Sequence, residues 1–63
     1  MSTEFNMSMR KFLKQVGVTS QQAIEDALRA ADSDGKSYTI KAVITCEELN
    51  LHHEVDGTLK EQD

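Results

Sequence analysis

The chain has 63 residues, a formal net charge of −4, one cysteine and 38% hydrophobic residues. It is one domain at most, and a chain this short buries only about 60% of the surface its unfolded form exposes. The lone Cys46 excludes an internal disulfide, no apolar run approaches the ~20 residues that span a bilayer, and the remaining supports for so small a fold are a metal or a partner chain.

Charge is unevenly spread. Residues 1–18 carry Arg10, Lys11 and Lys14 against Glu4, whereas residues 19–35 carry Arg29 against Glu25, Asp26, Asp32 and Asp34. Residues 36–63 are again acidic, with three lysines against six acids. Net acidity repels phosphate backbones, which supply most nucleic-acid affinity, although a local basic patch can defeat the average. Met1-Ser2-Thr3-Glu4 lacks a basic start followed by an apolar stretch, so no signal peptide is expected, and a reduced cytoplasm is the expected compartment.

The first helix is predicted over about residues 4–16. Phe5, Met9, Phe12, Leu13 and Val16 fall on one apolar stripe, with Arg10, Lys11 and Lys14 off it. Gly17 reads as its stop, since glycine takes the left-handed conformation that closes a helix without strain. Thr19 with Gln22 three residues later fits a capping box, and Val18 is placed to staple onto Ala23. A second helix is then expected over about residues 20–32. It presents Ala23, Ile24, Ala27, Leu28 and Ala31 on one side and ends in Asp32-Ser33-Asp34-Gly35.

After Gly35 the period shortens to two. Tyr38, Ile40, Ala42, Ile44 and Cys46 alternate with mostly polar residues, which predicts a half-buried strand over about residues 37–46. A second strand is expected over about residues 51–60. Leu51, His53, Val55, Gly57 and Leu59 lie on one face, with His52, Glu54, Asp56, Thr58 and Lys60 on the other. Pairing Cys46 with Leu51 puts both apolar sets on one sheet face. It sets Lys41 opposite Asp56, Thr39 opposite Thr58 and Ile40 opposite Gly57; a one-residue slip would turn one set into water. The tail 61–63 should fray.

These elements predict an α+β fold of order ααββ in a single domain, residues 1–63, with two helices packed on one face of a β-hairpin. Its core would be Phe5, Met9, Phe12, Leu13, Val16, Val18, Ile24, Leu28, Tyr38, Ile40, Ile44, Val55 and Leu59. That core is thin, and a two-stranded sheet is marginal alone and leaves both edges unpaired. A homodimer is therefore expected, built either edge to edge or through packed helical pairs.

Chemistry-bearing residues are few. A DNA-reading helix-turn-helix would aim Ser20, Gln21, Gln22, Glu25, Asp26 and Arg29 at the major groove, and two acids beside one arginine suit it poorly. Arg10, Lys11 and Lys14 form a basic cluster that either is solvated or meets an acidic partner. Met7, off the stripe, is an adaptable apolar contact beside it, and Leu49 is expected at an exposed turn. Cys46 and His53 share a sheet face and supply two of the four ligands of a closed zinc site, so a metal would need a second chain; the plainer reading is a buried thiol and a rim histidine. Nothing marks an oxyanion hole or a phosphate loop. No catalytic residue and no cofactor is expected.

Phe5-Asn6-Met7-Ser8-Met9-Arg10-Lys11-Phe12-Leu13-Lys14-Gln15-Val16-Gly17-Val18-Thr19-Ser20-Gln21 resembles the opening of a family of very short bacterial proteins described as a domain of unknown function. The likeness continues through Ile24-Glu25, Ala27 and Arg29, and more loosely to Leu51, His53, Val55 and Gly57, while the turn Cys46–Asn50 departs from it. It implies a bacterial, cytoplasmic protein and brings no activity, cofactor or site residue. The residues themselves favour a non-enzymatic protein–protein interaction module acting as a homodimer, with Met7, Arg10, Lys11 and Lys14 as partner contacts. The alternatives are a nucleic-acid-associated regulatory protein using the basic helix face, and a metal-linked dimer through Cys46 and His53.

Overall fold

In the computed structural model, residues 2–31 and 36–61 are described. The order is one helix, α1 (Thr3–Ala31), then strand β1 (Tyr38–Cys46), a 3-10 turn (Glu47–Leu49) and strand β2 (Leu51–Leu59). The chain divides into two units, Met1–Ser33 and Asp34–Asp63.

The expected pair of helices is a single helix of 29 residues. Its start is capped as a serine N-cap should be: the Phe5 amide donates to Ser2 Oγ at 3.2 Å and the Asn6 amide to the Ser2 carbonyl at 3.1 Å. Glu4 in the first turn and Arg29 in the last both complement the helix dipole. Gly17 does not end the helix. No proline interrupts the chain, and a glycine inside a helix costs only about 1 kcal/mol against alanine, less than the loss of a whole turn of backbone bonds.

The expected capping box is also absent, because in a continuous helix the amides it would serve already have carbonyl partners. Thr19 Oγ1 instead donates backward to the Gln15 carbonyl at 2.8 Å, the usual outlet for a mid-helix hydroxyl. Gln22 reaches forward to Asp26 Oδ1 at 3.2 Å, and Gln21 to Glu25 Oε2 at 3.3 Å. With an ion pair from Arg29 to Asp26 at 3.3 Å, these i,i+3 and i,i+4 contacts lace the second half of α1 as one helix. The expected end at residues 32–35 lies outside the described residues, as do residues 62 and 63 of the tail.

In the second unit the strands pair antiparallel in the register that their apolar alternation requires. Cys46 faces Leu51, Lys41 faces Asp56, Ile40 faces Gly57 and Thr39 faces Thr58. Asn50 closes the turn in the left-handed conformation, φ 55°, ψ 37°, and its amide donates to the Glu47 carbonyl at 3.1 Å. Asparagine is among the few non-glycine residues that visit this region routinely. Tyr38, Ile40, Ile44, Cys46 and Leu59 are half-buried, all on the predicted inward face.

No described residue is buried; Val16, Ile24 and Leu28 are half-buried, and Phe5, Met9, Phe12, Leu13, Val18 and Val55 are exposed. Phe5 keeps 70% of its surface in water, and Phe12 and Leu13 each keep 52%. A straight helix cannot fold back to cover its own stripe, and this is the physical reason the expected helical layer does not close.

Gly17 separates the two descriptions of α1. A Cβ built there has nothing within 4 Å, so Gly17→Ala is expected to raise stability by about 1 kcal/mol through helix propensity. At a left-handed helix end the same change would destabilise. Thermal unfolding followed by circular dichroism gives the sign.

Candidate functional site

The longest described element is α1, about 43 Å long at 1.5 Å per residue. At 100° per residue the stripe of the first half (Phe5, Met9, Phe12, Leu13, Val16) runs without a phase break into that of the second (Ala23, Ile24, Ala27, Leu28, Ala31). Bulky side chains fill one half and alanines dominate the other.

The opposite side of α1 carries most of the expected partner contacts. Met7, Lys11, Lys14 and Val18 are spaced i, i+4, i+7 and i+11 and so stand in one row. Arg10 sits apart, nearer the apolar stripe. Met7 is 65% exposed, and Arg10, Lys11 and Lys14 make no ion pair among the described residues. Val18, assigned by sequence to a staple, joins this row only because the helix passes through Gly17. The spacing from Met7 was its available signal.

The hairpin brings Cys46 and His53 to one face, with His53 directly opposite Ile44 and Cys46 opposite Leu51. They are diagonal neighbours, as the register requires. The Cys46 thiol is half-buried, with Sγ 3.6 Å from Glu48 Oε1. Among the described residues no cluster of three or more His, Cys, Asp or Glu side chains is placed to hold a metal ion, so within one chain this face offers a pair of donors and no more.

On the other face lies a cluster that sequence reasoning missed. Glu54 takes Lys41 Nζ at 3.4 Å and His52 Nε2 at 2.9 Å. Lys41 stands opposite Asp56 as expected, and its side chain reaches the diagonal carboxylate. Diagonal neighbours lie within reach of long side chains, and that was the signal. Beside them an open groove of about 450 Å³ is lined by Thr39, Ile40, Lys41, Asp56, Gly57 and Thr58. Leu49, at the turn, is 74% exposed.

Each strand has one edge unpaired by another strand among the described residues. Between two β2 strands paired antiparallel about Val55, Glu54 would face Asp56, which places like charges opposite one another. Between two β1 strands paired about Ala42, Ile40 would face Ile44 and Thr39 would face Thr45.

No helix among the described residues is long and apolar enough to cross a membrane. The architecture is that of a very small α+β protein, one long helix followed by an antiparallel hairpin. The chain belongs to a family of unknown function (DUF6494), whose model matches residues 1–62. Searches of curated proteins and of solved structures found no match.

The Glu54 cluster is exposed, with 43% of the Glu54 side chain in water, and exposed ion pairs contribute little. Glu54→Gln is therefore expected to change stability by less than about 1 kcal/mol, measured as the shift in the urea midpoint. A larger loss would mark the cluster as a structural requirement.

Proposed function

We propose that this protein is a non-enzymatic interaction module of the cytoplasm that works as a homodimer. The observation that carries the reading is the stripe on α1, which leaves Phe5, Met9, Phe12 and Leu13 exposed along a helix with no buried residue. Contiguous apolar surface of this kind marks an interaction site. The lack of any buried residue among the described ones gives the same direction, since a chain this small gains by burying its apolar surface against a second one. Self-association through the stripe leaves the row of Met7, Lys11 and Lys14 on the outer face, where it is available to another partner.

A second reading has one observation in its favour, the unpaired state of Arg10, Lys11 and Lys14 among the described residues. In that reading the row binds nucleic acid and the protein regulates it. Binding driven by phosphate neutralisation weakens steeply as salt rises, whereas apolar self-association changes little. The third arrangement, a metal-linked dimer, needs Cys46 and His53 from each of two chains to complete four ligands.

Light scattering across a concentration series, with and without chelator, distinguishes these readings. The expected result is twice the chain mass, unchanged by chelator. Phe12→Glu is expected to return the protein to monomer, because it places a charge inside the apolar contact. A monomer at all concentrations overturns the homodimer, and a dimer lost on chelation transfers the site to Cys46 and His53.

A further inference from the structure

The two halves of the α1 stripe are complementary to each other, and a straight helix cannot bring them together. Bulky Phe5, Met9, Phe12 and Leu13 occupy the first half; Ala23, Ala27 and Ala31 occupy the second together with Ile24 and Leu28. Charge is divided in the same sense, with Arg10, Lys11 and Lys14 against Glu4 in the first half (net +2) and Glu25 and Asp26 against Arg29 in the second (net −1). A helix broken at Gly17 would fold these halves face to face. The helix is unbroken there, so the same contacts require a second copy running in the opposite direction.

We infer that two copies of this chain dock antiparallel along α1 about a two-fold axis near residue 18, exchanging between chains the contacts of a helical hairpin. The inference deepens the homodimer reading above and rests on it. In this register Phe5 comes beside Ala31 of the second copy, Met9 beside Ala27, Leu13 beside Ala23 and Phe12 beside Ile24. Val16 and Ser20 straddle the axis. Phe5, Met9 and Leu13 each meet an alanine and Phe12 meets Ile24, so that the two stripes interdigitate as close-packed surfaces do. Exchange of an identical element between protomers is a low-cost route to a dimer.

Electrostatics selects the direction. Antiparallel docking lays the basic half of each helix along the acidic half of the other, while parallel docking aligns basic with basic and acidic with acidic. Lys11 and Lys14 stand on the outer face and individual exposed pairs contribute little; the opposite net sign of the two halves is what disfavours the parallel form. Opposed helix dipoles act in the same sense.

The test is a pair of distances in the dimer. In a Cys46→Ser background, Glu4→Cys and Gln15→Cys each carry a nitroxide on a position outside the stripe, and dipolar spectroscopy reads the separation between copies. With the axis near residue 18 and a rise of 1.5 Å per residue, the axial separation is about 42 Å at position 4 and about 9 Å at position 15. Light scattering on the same samples establishes whether a dimer is present. A dimer with equal, short distances at both positions is parallel and overturns the inference. A dimer whose labels are far apart at both positions also overturns it and takes self-association off the α1 stripe. A labelled protein that stays monomeric overturns the homodimer reading itself, and the antiparallel register falls with it.

Discussion

The backbone hydrogen-bond ladder of α1 continues through Gly17, and the ways in which this chain can bury apolar surface follow from that. A helical hairpin would let Phe5, Met9, Phe12 and Leu13 reach Ala23, Ala27 and Ala31 within one molecule. A straight helix holds the two sets at opposite ends, so each keeps facing water. At roughly 25 cal/mol per Å² of apolar area, a stripe of this length is a substantial unspent driving force. It is available to whichever surface matches its alternation of large and small side chains.

The hairpin was legible from sequence because strand periodicity leaves little freedom. With a side-chain period of two, only one parity of register puts Ile40, Ile44, Val55 and Leu59 on one face, and a turn of Glu47–Asn50 then sets Cys46 against Leu51. The helix was legible in type and misread in number. Gly17, Val18, Thr19 and Gln22 each match a helix boundary, and the four signals agree locally. The discriminating signal was longer in range. The stripe keeps its phase across Gly17, with Phe5 and Ala23, Met9 and Ala27, and Leu13 and Ala31 each five turns apart on one line. A turn would have had no reason to preserve that phase.

The same contrast applies to the candidate contacts. Cys46 and His53 were placed correctly because their positions depend only on register, and so was the separation of His52 onto the other face. The row of Met7, Lys11, Lys14 and Val18 was incomplete in the sequence reading, because Val18 belongs to it only if the helix is continuous. The Lys41–Glu54–His52 cluster was missed for another reason. Side chains long enough to choose between a direct and a diagonal partner are not fixed by backbone register, and Lys41 takes the diagonal carboxylate.

One property of the hairpin bears on how the protein reaches its final form. Tyr38 with Leu59 is the widest sequence separation of any paired residues in the sheet, and α1 is held by contacts three and four residues apart. Helices and hairpins of this kind form in microseconds, and low contact order leaves no slow long-range search within either unit. Under the homodimer proposed above, the slow event in the life of a newly made chain is an encounter with a second copy. Its pace would then be set by how much of the protein the cell contains, so abundance would govern maturation.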